Sequence, residues 1–99
     1  MIPPVDGFDW DIGNRSKCQA HGVSIADIEA LLSSNPHVAP DLKHSATEPR
    51  LIAVGRSSRG RPMFVAFTFR RKDELHLIRP ISARYMHEKE IAGYETESS

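Results

Sequence analysis

The chain has 99 residues, of which 39% are hydrophobic and 26% are charged, and its formal net charge is zero. This length predicts a single domain, and this composition excludes an intrinsically disordered chain, because such chains have too few apolar residues to form a core. One cysteine excludes an internal disulfide framework and a cysteine-based zinc site, and the lack of a leader-like start or of an apolar run of about 18–20 residues predicts a cytoplasmic protein.

The first half of the sequence predicts a short edge strand followed by two helices. Residues 5–10 are mainly apolar and predict the strand, and Asp11 is a suitable N-cap for a first helix that stops at Gly22. A second helix is predicted to follow the N-cap residue Ser24 and to end near Ser33. Its apolar residues recur at helical spacing and predict one buried face: Ile25, Ile28, Leu31 and Leu32.

The second half changes to the alternation of apolar and polar residues that is typical of strands. Residues 51–54, 63–69 and 75–82 predict three strands, and the short turn segments between them imply an antiparallel meander. A last helix is predicted over residues 86–94, followed by a frayed tail. We therefore predict a single α+β domain whose antiparallel sheet, of about four to five strands, carries a helix pair on one face and a C-terminal helix.

The charges are distributed unevenly along the chain. Residues 1–49 carry three Lys or Arg against seven Asp or Glu, a net charge of −4, and residues 85–99 carry one against four, a net charge of −3. Residues 50–84 carry nine against two, a net charge of +7, and eight of the nine are arginine. Because arginine makes bidentate contacts with phosphate, the central segment predicts a surface that binds a polyanion, with RNA as the favoured candidate.

Six short motifs follow one another in a fixed order. They are Phe8-x-Trp10-Asp11, Asn14-x-x-Lys17-Cys18, His21-Gly22-Val23-Ser24, Glu48-x-Arg50, Gly55-Arg56-Ser57-Ser58-Arg59-Gly60-Arg61 and Ile81-Ser82-Ala83-Arg84, with Glu90 and Tyr94 after them. In this order and spacing, over roughly residues 8–95, the chain resembles the BrnT family of bacterial type II toxins, which are similar to RelE-like ribonucleases. It differs from that family at Ala20, where lysine is frequent, and in its last helix, which is acidic rather than rich in Arg and Lys.

The resemblance implies a RelE-like fold and a ribonuclease that cuts mRNA without a metal or other cofactor and arrests growth. It also implies a BrnA-like ribbon-helix-helix antitoxin that silences the toxin, with operator DNA contacted only through that antitoxin. Because both departures from the family pattern remove positive charge, an alternative is a catalytically weak module that mainly binds its antitoxin. A third possibility is an interaction domain whose arginines pair with its own acidic ends.

Cleaving RNA without a metal needs a base for the 2′-hydroxyl proton, an acid for the leaving oxygen, and cations that stabilise the phosphorane. His21 is the leading acid–base candidate, because imidazole gains and loses a proton near neutral pH; its alternative role is to cap a helix end. Lys17 lies one turn earlier and can share the helix face of His21. Glu48 is a candidate base if its surroundings make it hold a proton more tightly.

Arg50 and Arg84 stand at the ends of predicted strands, from where they can stabilise charge on one phosphate. Their alternative roles are ion pairs with Glu48 and Glu90. Ser82 either donates to the phosphate or caps a turn. Further phosphate contacts are predicted for four arginines of the basic segment, namely Arg56, Arg59, Arg61 and Arg79. No metal site is predicted, because no acidic or histidine cluster has ligand spacing.

The second turn of the meander carries Arg70, Arg71 and Lys72. Successive turns of a meander lie at opposite ends of the sheet, so these cations join the arginines around the first turn only if the twist of the sheet and Arg79 connect the two groups. We expect the cations at the second turn to be solvated. Cys18 is expected to be buried and unreactive.

Overall fold

The computed structural model describes residues 2–41, 43 and 48–97 and shows an α+β architecture, which confirms the predicted fold class. The strands are Gly7–Phe8 (β1), His37–Pro40 (β2), Leu51–Arg56 (β3), Pro62–Lys72 (β4) and Leu75–Tyr85 (β5), and the helices are Ile12–Gln19 (α1), Ile25–Ser33 (α2) and Glu88–Glu97 (α3). Within the described residues these strands form one five-stranded sheet in the order β1-β5-β4-β3-β2.

The sheet is antiparallel from β2 to β5, which confirms the predicted meander. Strand β1 pairs in parallel with β5 at the sheet edge and is shorter than predicted, because it comprises only Gly7 and Phe8. The backbone N–H groups of Asp6 and Asp9 extend this pairing by donating to β5. Asp11 then caps α1 and turns the chain away from the sheet.

Both N-terminal helices begin at the predicted capping residues. The Asp11 side chain accepts from the backbone N–H of Asn14 at 2.9 Å, and the Asn14 side chain accepts from the backbone N–H of Asp11 at 2.7 Å. At the start of α2, the Ser24 hydroxyl accepts from the backbone N–H of Asp27 at 3.1 Å. Gly22 lies between the helices with φ of +87°, a conformation that side chains with a Cβ rarely adopt. Local chemistry therefore defines the boundaries of both helices.

The main core lies between the sheet and the two N-terminal helices. Alternate residues of β4 point into it, with Phe67 fully buried, and α2 contributes Ile28 and Leu31. Cys18 of α1 is fully buried in the same cluster. Alternation in β4 thus assigns one face of the sheet to α1 and α2.

The other face carries α3 and a smaller apolar cluster. Ile91 of α3 is fully buried against Val54 of β3, and Phe64 of β4 packs on the same cluster. The helix begins at Glu88, later than predicted, and extends to Glu97, into the segment predicted as a tail. None of the helices in the described part of the chain is long and apolar enough to span a membrane. The remaining two tail residues, and residues 42 and 44–47 between β2 and β3, lie outside the described residues.

Candidate active site

The face of the sheet that carries α3 has cationic residues in the part that the helix does not cover. Along β4, Phe64 lies under α3, and alternation places Thr68, Arg70 and Lys72 on the same face farther along the strand. Arg79 of β5 pairs with Thr68 across the sheet and therefore shares this face. One face of the sheet is thus divided between a helix-covered half and a cationic half.

A cleft of about 410 Å³ opens in the cationic half. It is lined by residues from α1, β4, β5 and the segment that leads into β3. Its polar and charged lining residues are Asn14, Lys17, Glu48, Arg50, Arg70 and Arg79. The fold therefore brings together four residues that the sequence proposed for chemistry or phosphate binding, and adds two that it did not.

Asn14 attaches α1 to the edge of the sheet beside the cleft. Its side-chain amide donates to the backbone oxygens of Asp9 at 2.9 Å and of Pro80 at 2.8 Å, and the residue is only 5% exposed. Because both N–H donors and the carbonyl of this side chain are used, α1 has a defined position on β5. That position puts Lys17, one turn further along α1, in the cleft lining.

The segment before β3 contributes the opposite wall. The Thr68 hydroxyl donates to the backbone oxygen of Pro49 at 2.6 Å and so holds this segment against β4. Arg50 follows immediately, and its side chain is partly buried in the lining. Glu48 forms an ion pair with Arg70 at 3.1 Å, a partner that the sequence did not propose for it. Glu48 and Arg70 therefore form one side of the cleft together.

Arg79 is held by two carboxylates from the N-terminal segment. Its Nη1 lies 3.4 Å from Asp9 Oδ2, and its Nη2 lies 2.8 Å from Asp11 Oδ2. Burial by itself lowers the pKa of Arg79, but the hydrogen bond and charge of Asp11, followed by those of Asp9, outweigh it and raise that pKa above its ordinary value. The guanidinium is therefore a permanent cation at the cleft.

Asp9 is a buried carboxylate, 7% exposed, with a cation on each oxygen. The hydrogen bond from Lys72 is the main cause that lowers its pKa; burial opposes this, and Arg79 adds to the lowering. The hydrogen bond from the Asn14 backbone lowers the pKa of Asp11, and Arg79 contributes second. Both aspartates are therefore carboxylates at neutral pH.

The helix-covered half of this face has a different charge balance. Arg56 pairs with Glu88 at 3.0 Å and with Glu95 at 3.3 Å. Arg84 pairs with Glu90 at 3.2 Å, which is the predicted alternative to a phosphate contact, and it also stacks on the Phe64 ring at 4.8 Å. These arginines lower the pKa values of Glu88 and Glu90. Acidic residues of α3 therefore neutralise arginines that the sequence proposed for phosphate binding.

A register shift in β5 decides where Ser82 lies. Ala66 pairs with Ser82 and Phe67 with Pro80, so Ile81 has no partner on β4. This bulge brings Ser82 onto the face of Arg79, although an odd spacing along a regular strand places two residues on opposite faces. Ile81 lines the cleft, whereas Ser82 lies beyond it toward α3.

His21 lies in the exposed connection after α1 and does not line the cleft. Cys18, one turn before it in the chain, is fully buried, and burial raises the pKa of its thiol to about 11. The prediction of a buried cysteine is confirmed, and its high pKa makes the reactive thiolate scarce. Among the residues that the structure describes, no group of three His, Cys, Asp or Glu side chains is placed to hold a metal ion.

The two basic turns lie at opposite ends of the sheet, as predicted from the meander. Arg61 stacks on the Tyr85 ring at 3.6 Å, and Arg59 is exposed in the turn between β3 and β4. Arg70 lines the cleft at the other end, although the sequence favoured a solvated role for it. The sequence contained a signal for each of the two added residues. Arg70 lies on the opposite face of its strand from the buried Phe67, and Asn14 belongs to one of the ordered motifs.

The model of one protein family matches residues 10–90, which is most of the chain. The family is described as the ribonuclease toxin, BrnT, of type II toxin–antitoxin systems. Among curated proteins, no relative matches the chain. The matched range contains every lining residue of the cleft and both arginines that pair with α3. The chain therefore belongs to the BrnT family of ribonuclease toxins of type II toxin–antitoxin systems.

Proposed function

We propose that the cleft binds a phosphate of an RNA strand and that the protein cleaves the strand there without a metal ion. The observation that carries this proposal is the lining, in which four cationic side chains and one carboxylate surround a space of about 410 Å³. Such an excess of cations attracts phosphate and repels a divalent metal ion. Membership of a ribonuclease toxin family supports RNA as the substrate.

In the proposed reaction, the 2′-oxygen attacks the adjacent phosphorus and the 5′-oxygen leaves. A base accepts the 2′-hydroxyl proton and an acid donates a proton to the 5′-oxygen, so the products are a 2′,3′-cyclic phosphate and a 5′-hydroxyl. Lys17, Arg50 and Arg79 stabilise the negative charge of the phosphorane from the cleft lining. Arg70, held by Glu48, adds to this cationic wall.

Glu48 is the proposed base, because it is the carboxylate among the described lining residues. The sequence favours His21 as the acid, whereas the cleft lining favours Lys17. Cleavage of a substrate with a 5′-sulfur leaving group separates the two, because that leaving group needs no proton. His21→Ala cleaves this substrate at near the wild-type rate if His21 is the acid, and Lys17→Ala does so if Lys17 is the acid.

The register of the sheet supports a path for the remainder of the strand. From Arg79, the same face leads to Ser82 and then to Arg84 beside α3. Arg56 lies at the far end of this path beside α3, whereas Arg59 and Arg61 belong to the turn between β3 and β4, where Arg61 stacks on Tyr85 of the opposite face. We propose that these residues contact phosphates outside the cleft, with Arg56 and Arg84 weakened by their glutamate partners.

Cleavage of a short labelled RNA by the purified toxin, with EDTA present, tests the reaction directly. We expect fragments that end in a 2′,3′-cyclic phosphate, and no cleavage when the nucleotide before the cut site carries a 2′-deoxyribose. Arg70→Ala is expected to slow cleavage at least tenfold, because it removes a cation from the lining. Arg71→Ala is the matched control, since Arg71 is the next residue of β4 and alternation places it on the opposite face.

Three outcomes contradict the proposal. Cleavage that stops in EDTA and returns with Mg²⁺ means that a metal ion is required. Cleavage of the 2′-deoxy substrate means that the 2′-hydroxyl is not the nucleophile. Equal losses for Arg70→Ala and Arg71→Ala place the reaction outside the cleft.

A type II system includes a protein antitoxin, and we propose that here it has a ribbon-helix-helix part that binds operator DNA. The cationic cleft supports an acidic segment of that partner as the element that blocks RNA, because opposite charge speeds association and fixes register. The toxin has no net charge, which supports assigning the DNA contacts to the antitoxin. Operator binding measured for the antitoxin, the toxin and their complex tests this; retention of operator DNA by the toxin alone contradicts it.

A catalytically weak, antitoxin-binding module is the second candidate. The observation in its favour is that the acidic residues of α3 pair with Arg56 and Arg84. Induction of the toxin in cells without antitoxin distinguishes the two functions. Growth arrest that Arg70→Ala relieves supports the ribonuclease, whereas normal growth with the folded wild-type toxin supports the binding module.

A further inference from the structure

We propose that Asp9 is a positioning residue that orients the Arg79 guanidinium toward the phosphate of the bound RNA. This inference builds on the proposed function and adds a residue that lies outside the lining of the cleft. Its basis is geometric, because Asp9 is buried, contacts Arg79 directly and is itself fixed by three separate interactions.

The guanidinium of Arg79 is held by two carboxylates at its two ends. Asp9 Oδ2 lies 3.4 Å from Nη1, and Asp11 Oδ2 lies 2.8 Å from Nη2. A guanidinium is a planar fork of N–H donors, so contacts at both terminal nitrogens define the orientation of its plane. The N–H groups that the two carboxylates do not use remain available for a phosphate in the cleft, which Arg79 lines.

Asp9 is in turn held at three points. Lys72 Nζ lies 2.9 Å from Asp9 Oδ1, so each carboxylate oxygen has a different cation and the carboxylate cannot rotate without losing one of them. The Asn14 amide donates to the Asp9 backbone oxygen at 2.9 Å. The same amide donates to the backbone oxygen of Pro80, the residue after Arg79, so it connects the backbone at Asp9 to the strand that carries Arg79.

This geometry excludes Asp9 as the catalytic base. Both of its oxygens face cations, and its pKa lies below the ordinary value because of Lys72 first and Arg79 second among the charges. A carboxylate in this state is a poor proton acceptor at neutral pH. Its contribution to the reaction therefore acts through Arg79.

A positioning role predicts an opposite effect on rate and on binding. Asp9→Asn removes a negative charge next to the cleft, so RNA binding is unchanged or tighter. The same change removes one of the two contacts that orient Arg79, so the rate of the bound complex falls. A defect that is only structural lowers the folded fraction and does not tighten binding.

The test is single-turnover cleavage of a labelled RNA at several protein concentrations, with thermal unfolding of each variant measured in parallel. We expect Asp9→Asn to lower the maximal rate at least tenfold while the half-saturating concentration stays equal or falls. Asp6→Asn is the matched control, because it makes the same charge change three residues earlier, where Asp6 accepts from the backbone N–H of His76 at 2.8 Å. If Asp9→Asn does not fold, Asp11→Asn is tested instead, because Asp11 is exposed and holds the other terminal nitrogen of Arg79.

A second measurement does not depend on cleavage. Because two carboxylates hold the Arg79 guanidinium, we expect NMR spectra of the wild type to show resolved, slowly exchanging resonances for its protons. In Asp9→Asn, we expect these resonances to be averaged. Averaged resonances in the wild type overturn the inference even if the protein is an active ribonuclease. Wild-type rates in a folded Asp9→Asn variant, or a rate loss accompanied by weaker RNA binding, overturn it as well. If the wild type does not cleave RNA although its Arg79 resonances are resolved, the proposed function is refuted but the ordering of Arg79 is not.

Discussion

The two halves of the sheet face that carries α3 use cations from the same basic segment in different ways. In the cleft half, four cationic side chains and one glutamate line an open space. In the α3 half, Arg56 and Arg84 lie against three glutamates of the helix. The lining of the cleft thus has an excess of three positive charges, whereas this second cluster has an excess of one negative charge.

A count of arginines along the chain therefore does not locate the proposed phosphate site. Exposed ion pairs are individually weak, but a helix that presents several carboxylates cancels the local potential that attracts RNA. The cleft half also contains carboxylates, since Asp9 and Asp11 hold Arg79. There they contact the two terminal nitrogens of Arg79, which still lines the cleft.

The largest expected effect is on catalysis, from removing equivalent arginines in the two halves. Arg79→Ala is expected to reduce the cleavage rate about 100- to 1,000-fold, the usual cost of losing a donor that stabilises transition-state charge. Arg84→Ala is expected to reduce it less than about tenfold, because Glu90 already neutralises that arginine. Single-turnover kinetics of both folded variants measure the difference. Equal losses move the reaction centre toward α3 and support the phosphate role that the sequence predicted for Arg84.

The next effect is on stability, from loosening α3. Ile91→Ala is expected to lower the free energy of unfolding by about 2–4 kcal/mol, because Ile91 is fully buried and the substitution leaves a cavity. Denaturant unfolding measures this change. Cleavage well below the unfolding midpoint is expected to stay near the wild-type rate, since the cleft lies on the other half of the face. A large rate loss in the folded variant means that α3 supports the cleft and that the two halves are not separate.

A smaller effect is expected on RNA binding, from removing one carboxylate of α3. Glu90→Gln keeps the acceptor for the His87 backbone N–H but removes the charge that pairs with Arg84. We expect RNA binding a few-fold tighter and a salt dependence steeper by about 0.7 in the slope of log K against log salt, one additional phosphate contact. Glu74→Gln, in the turn between β4 and β5, is the control. An unchanged slope for Glu90→Gln means that Arg84 is not on the RNA path.

The smallest effect is on the acid stability that both halves share. The pKa values of Asp9, Asp11, Glu88 and Glu90 are all lowered from their ordinary values of 3.8 for Asp and 4.5 for Glu. The stabilisation that these ionised carboxylates contribute is therefore complete above about pH 5, and it is lost as the pH falls through their lower pKa values in the folded state. Thermal melts between pH 7 and pH 3 are expected to show a decline only below about pH 4.5. A decline that begins at neutral pH contradicts this assignment.

The elements of the fold were predictable because their signals are local. Asp11 and Ser24 begin helices through their own side-chain hydrogen bonds, and alternation around Phe67 identifies a strand with one buried face. The site was less predictable. Glu48 pairs with Arg70, 22 positions away on β4, and a bulge at Ile81 changes which residues of β5 share a face. Neither follows from local spacing, because each depends on where a distant strand comes to lie.

Local sequence signals were sufficient to define the capped helices, the meander and a basic central segment between acidic ends. These features depend on side chains within a few residues of one another, which interact in the same way wherever the segment lies. Which cations line a cleft and which are neutralised depends instead on long-range packing. Coulomb and hydrogen-bond partners such as Asp9 and Arg79 are separated by 70 positions in the chain, so their encounter depends on how β1, β5 and α1 pack together.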